Sequence, residues 1–212
     1  MNDPKIIVAL DYDNADSALN FASKVTPDLC KLKVGNELFT NAGPQLVSKL
    51  VDKGFKVFLD LKFHDIPNTV ARACEAATKL GVWMCNVHSS GGPVMMKAAM
   101  EAVSKYENRP KLIAVTVLTS MDETQLNSVG VNNQPKTQVL QLAKLVKECG
   151  LDGVVCSVHE AKAIHEVCGD DFLTVTPGIR LATDAKGDQA RVATPDFARE
   201  QGCDYIVVGR SI

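Results

Sequence analysis

The stretch LDLKFHDIPNTV carries three charges, Asp60, Lys62 and Asp65, at the end of the apolar run Val57-Phe58-Leu59. Side chains alternate along a strand, so Asp60 and Lys62 point to one side while Leu59, Leu61 and Phe63 point to the other. The spacing thus sets an ammonium beside a carboxylate on one face. Lys33, at the end of the second apolar run, and Asp11, just after the first, could bring further charges to the pair. Opposite charge nearby favours the charged form, so a lysine among carboxylates is held as an ammonium. Such a group is a proton donor and fixed cation, whereas a Schiff-base lysine needs a depressed pKa. Two plainer readings stand beside this one: a solvated ion pair on an edge strand, and, for Asp65, an N-cap of the helix opening at Pro67.

Positioning these charges falls to a regular alternation of elements. Eight short apolar runs read as strands, at 5–10, 29–35, 56–62, 82–88, 111–118, 152–157, 172–177 and 204–209. Between them, 14–25, 37–52, 67–80, 93–106, 136–149 and 159–167 place apolar residues at helical spacing. Gly54, Gly81, Gly150 and Gly202 stand where helices should stop, and Pro44, Pro67, Pro93 and Pro195 near where they should start. Alternating strands and helices imply parallel strands with right-handed crossovers, and eight such units close a (β/α)8 TIM barrel, here one domain over residues 1–212. An open doubly wound sheet is the alternative, but the first strand leads into DYDNAD and the chain holds no glycine-rich phosphate fingerprint. Only Arg-Ser-Ile follows the eighth strand, so the expected barrel lacks its final C-terminal helix and leaves part of its closing strands uncovered. The 119–136 segment reads as the longest polar connection.

The loops after barrel strands form the active-site face. Residues expected there are Asp11, Lys33, Asp60, Lys62, Asp65, His88, Thr116, Thr119, Ser157, Arg180, Gly209 and Arg210. Gly209 and Arg210 follow the last strand, where barrels often hold phosphate through backbone N–H groups. Arg180 opens a polar, glycine-containing stretch with the composition of a lid or a plain surface loop. No metal site is expected: Cys85 and His88 face opposite ways on one strand, and His159-Glu160 lacks the second histidine of a zinc-binding helix. His64 and His88 are given no role. With 23 basic against 25 acidic residues, net charge offers no nucleic-acid signal. No run approaches the roughly 18 apolar residues of a membrane span, and the N-terminus enters a strand with no signal-peptide pattern, so the expected location is the cytoplasm. The seven cysteines, with Cys30, Cys85 and Cys156 inside apolar strands, suit buried thiols.

Taken together, LDLKFHDIPNTV, VALDYDN, KVGNELF, NVHSSGG, AVTVLTS, DGVVCS, TPGIR and VVGRSI resemble, in order, segments of the orotidine 5′-phosphate decarboxylase family, most closely in its bacterial form. The resemblance spans essentially the whole chain and departs only at the end, where the family continues through a last helix. It implies conversion of orotidine 5′-phosphate to uridine 5′-phosphate, in the last step of pyrimidine nucleotide synthesis, without metal or organic cofactor. It further implies that Lys62 protonates the pyrimidine carbon that loses the carboxylate, within a Lys33, Asp60, Lys62, Asp65 array. Asp65 and Thr69 would reach the site from the partner subunit of a homodimer. Asp11 and Lys33 would bind the ribose, Thr119 the pyrimidine, and Arg180, Gln189, Gly209 and Arg210 the phosphate region. Two rivals remain: a magnesium-dependent sugar-phosphate decarboxylase or synthase sharing D-x-K-x-x-D, and a non-catalytic nucleotide-binding barrel. The first is expected to carry an acidic residue where this chain has Lys33.

Overall fold

The structure, a computed structural model, describes residues 3–181, 193–209 and 211–212. Eight strands, β1 (Ile6–Ala9), β2 (Lys31–Gly35), β3 (Val57–Phe63), β4 (Met84–His88), β5 (Lys111–Val115), β6 (Gly153–Val155), β7 (Leu173–Thr176) and β8 (Tyr205–Val208), pair in sequence order. Every pairing is parallel, and β8 closes on β1 through Ile6–Ile206, Ile7–Val207 and Val8–Val208. The helices between them are α1 (Ala15–Ala22), α2 (Asn36–Asp52), α3 (Pro67–Lys79), α4 (Gly92–Ser104), α5 (Glu123–Ser128), α6 (Pro135–Glu148), α7 (Val158–Cys168) and α8 (Pro195–Glu200).

Strand alternation divides the apolar residues between two cores. Ile7, Phe58, Met84, Ile113, Val175, Tyr205 and Val207 point inward and fill the barrel. Their neighbours, among them Val8, Leu32, Leu59, Cys85, Leu112 and Val154, point outward and bury against the helices. Parallel strands covered on both faces need both sets, and this is why the strands read as continuous apolar runs. The barrel closes tightly at β6: a Cβ on Gly153 would lie 2.2 Å from the Leu173 carbonyl oxygen, so only glycine lets β6 approach β7.

Gly54, Gly81, Gly150 and Gly202 follow the ends of α2, α3, α6 and α8 with φ between 73° and 86°, as the stop signals anticipate. Pro67, Pro93 and Pro195 occupy first-turn positions. Pro44 differs, since α2 runs on both sides of it; Gly43 breaks the helix at φ 67° and Pro44 restarts it. The polar 119–136 connection holds one unanticipated helix, α5, whose cap Asp122 accepts a hydrogen bond from the Gln125 N–H at 2.9 Å. The signal was present in D-E-T-Q, a cap followed three residues on by glutamine. All seven cysteines are free thiols, six of them buried. Among the described residues, no helix is long and apolar enough to cross a membrane.

Candidate active site

A cavity of about 290 Å³ opens at the C-terminal ends of the strands. Ala9, Phe58, Val115, Val117, Val155, Val175 and Val207 supply apolar walls, while Asp11, Lys33, Asp60 and Lys62 bring charge. The cavity sits directly above the inward core, so each strand changes from packing to lining within a few residues.

Asp60 is the hub of the charges. Its Oδ1 accepts hydrogen bonds from Lys62 Nζ at 2.8 Å and Asn86 Nδ2 at 2.7 Å, and its Oδ2 lies 3.4 Å from Lys33 Nζ. Lys33 Nζ lies 3.8 Å from Asp11 Oδ1. The Asp60 and Lys33 side chains are each only 12% exposed, so water screens their attraction weakly. Burial alone would push the Asp60 carboxyl up; the Lys33 and Lys62 ammoniums and the hydrogen bonds from Lys62 and Asn86 outweigh it and hold the group below its ordinary value. The third strand is therefore no solvated edge. Gly35, at the end of β2, leaves space for this arrangement, since a Cβ there would stand 3.2 Å from Lys33 Nζ.

Lys62 reaches Asp60 through an unusual backbone. Its φ is 52°, in the left-handed region that bulky residues rarely occupy. There the β3–β4 pairing changes register: Leu59 faces Cys85 and Phe63 faces Val87, so four steps along β3 match two along β4. Asn86, fully buried on β4, spans the irregularity by accepting a 2.8 Å hydrogen bond from the Lys62 N–H. Sequence reasoning passed over Asn86. The available signal was a lone amide at an inward position of the apolar run VWMCNVH.

Seven anticipated residues meet in the cavity wall: Asp11, Lys33, Asp60, Lys62, Thr119, Arg180 and Gly209. Asp65 and Thr69 are exposed and lie outside their own chain's cavity. Gln189 and Arg210 lie outside the described residues. The capping role for Asp65 is not realised. With Pro67 as the first helical residue, the cap position falls on Ile66, and Asp65 stands one residue too early; its Oδ1 accepts from the Ile66 N–H, at 2.6 Å. Beside the site, His64 and His88 stack with ring centroids 5.5 Å apart. Arg180 leaves β7 on a pinned stem: its N–H donates to the Ala193 carbonyl at 3.0 Å, and the Ala193 N–H donates to the Gly178 carbonyl at 3.1 Å.

The model of the orotidine 5′-phosphate decarboxylase / HUMPS family matches residues 4–212. The chain belongs to this family. It is 58% identical over 210 residues to the orotidine 5′-phosphate decarboxylase of Legionella pneumophila (strain Corby), covering 99% of this chain and 92% of that one. The enzyme of the same name from Nitrosomonas europaea is 57% identical over 212 residues, with 100% and 91% covered. Among solved structures, orotidine 5′-phosphate decarboxylase from Lactobacillus acidophilus superposes with a TM-score of 0.86 at 45% identity, covering 98% of this chain and 91% of that one. Membership agrees with the barrel and with the cluster of charges at its mouth.

Proposed function

We propose that the chain decarboxylates orotidine 5′-phosphate to uridine 5′-phosphate, with Lys62 as proton donor. The observation that carries the reading is the Lys62 ammonium, 2.8 Å from a buried Asp60 carboxylate that also faces Lys33, on the floor of an apolar-walled cavity. Breaking the bond to the carboxylate releases carbon dioxide and leaves an electron pair in the plane of the pyrimidine, where the ring's π system cannot accept it. A preorganised cation is the remedy, because its field is in place before charge develops. Lys62 supplies that cation and then the proton that becomes the new C–H bond, and regains a proton from solvent. Asp60 positions Lys62 and would stand near the departing carboxylate. Asp11 and Lys33 would hold the ribose, Thr119 the pyrimidine, and Arg180 and Gly209, with Gln189 and Arg210, the phosphate region. Binding energy gathered at the phosphate would assist a step several bonds away.

The site is completed, on this reading, by a second copy of the chain. Asp65 and Thr69 are exposed beyond their own cavity, and beside them Ile66 is 67% exposed and Val94, in the first turn of the adjacent α4, 70% exposed. Exposed apolar residues near exposed polar ones suit a homodimer contact that would deliver Asp65 and Thr69 to the other subunit's site.

The deciding experiment adds purified protein to orotidine 5′-phosphate in EDTA and follows loss of substrate absorbance. Unimpeded loss is expected. Activity that appears only with magnesium would favour the sugar-phosphate branch, although Lys33 places a cation where a metal ligand would be needed. Uridine 5′-phosphate binding with no turnover would favour a non-catalytic barrel.

A further inference from the structure

The backbone at Lys62 is held in a conformation that the chain does not adopt for itself. A non-glycine residue in the left-handed region persists only where its surroundings over-determine it. The two extra residues of β3 deprive the Lys62 N–H of a place in the regular β3–β4 ladder. Asn86 replaces that ladder with its side chain: Oδ1 takes the Lys62 N–H at 2.8 Å, and Nδ2 donates to Asp60 Oδ1 at 2.7 Å. Both ends of one amide thereby join the backbone of the lysine to the carboxylate that its own ammonium contacts at 2.8 Å. The Asn86 side chain is fully buried in the barrel wall, where rearrangement is costly. Asn86 is not among the residues that line the cavity.

We propose that Asn86 is a positioning residue that clamps the β3 bulge and thereby aims the Lys62 ammonium at the reacting carbon. The inference rests on the decarboxylase reading above. The carboxamide accepts at one end and donates at the other without carrying a charge, as this bridge requires. Aspartate would keep the acceptor for Lys62 but set a second negative charge against Asp60; alanine would remove both bonds.

The test compares the native chain with Asn86→Ala and Asn86→Asp in three measurements: turnover of orotidine 5′-phosphate, affinity for uridine 5′-phosphate, and the pH profile of kcat. Displacement of a catalytic group by about an ångström costs on the order of 100-fold in rate, so kcat should fall by about that factor in both variants while product affinity stays within about threefold. The acid limb of kcat for Asn86→Ala should also move to higher pH. The lost donor had helped keep Asp60 ionised alongside Lys33 and Lys62, with Asp11 the remaining charge nearby. A purely structural role would lower kcat and product-binding capacity in proportion, through loss of folded protein, and leave the pH profile in place; that result, or unchanged kcat, overturns the proposal. Should neither variant fold, amide hydrogen exchange on the native chain decides: a protected Lys62 N–H supports the clamp, and exchange at the rate of an open loop refutes it. Absence of turnover in the native chain would instead count against the decarboxylase reading, and the exchange measurement would still decide the clamp.

Discussion

Asp60 and Lys62 show how two residues acquire function from what surrounds them. On an open strand the pair would be a solvated contact worth about 0–1 kcal/mol. Here Asp60 is nearly enclosed, shares its charge between Lys62 and Lys33, and receives an amide from Asn86. Its carboxyl therefore remains ionised to lower pH than an ordinary carboxylate, preserving the counter-charge for both lysines. Replacement Lys62→Ala should reduce turnover by at least about 10⁴-fold, because it removes the proton donor and the cation together. Circular dichroism and uridine 5′-phosphate binding should show the fold largely retained, and turnover surviving the change would falsify the mechanism. The D-x-K-x-x-D spacing and its polarity were legible from alternation alone. The positive φ of Lys62 and the Asn86 clamp were not, because both depend on how β3 registers against a strand more than twenty residues away.

At the scale of elements, the two ends of the barrel use lysine in opposite ways. Lys31, two residues before Lys33 on β2, points inward at the base and is fully buried. Its ammonium donates to Asp3 Oδ1 at 2.9 Å and to the Pro4 carbonyl, and lies 4.8 Å and 4.7 Å from the centres of the Trp83 and Tyr205 rings. Tyr205 also donates its hydroxyl to Asp3 Oδ2 at 2.8 Å. The segment before β1 thereby stoppers the barrel, while the top remains open for substrate. For the Asp3 carboxyl, burial pushes upward, but Lys31, Tyr205 and Lys56 outweigh it and hold the group well below the usual carboxylate range. A depressed folded-state pKa contributes stability that is fully present above the unfolded value near 4 and is lost as pH falls through the folded one. Asp3→Ala should accordingly lower the unfolding free energy by about 1–3 kcal/mol at pH 7, with solvent access to Asp3 keeping the cost modest. The difference from the native chain should shrink steadily below about pH 4, as urea unfolding at several pH values would report.

For the whole molecule, the proposed dimer makes a prediction that no single chain can meet. A Lys62→Ala subunit still carries Asp65, and an Asp65→Asn subunit still carries Lys62. Mixed dimers would therefore contain one fully native site and one doubly altered site. Unfolding and refolding the two inactive proteins together should recover about a quarter of native activity if subunits pair at random. Recovery of none would place Asp65 in its own chain's chemistry.

The order of eight strands, the barrel they imply and the charged end of the third strand were contained in local sequence, because strand alternation, helical spacing and glycine stops act over a few residues. The helix breaks at Gly43 and the capped turn at Asp122 were local too, and readable in principle. Tertiary structure decided that Asp60 also meets Lys33 and Asn86 while Asp65 stays outside its own chain's cavity. These relations depend on strand register and barrel closure, which bring distant residues within hydrogen-bond reach and leave no trace in the spacing of any one segment.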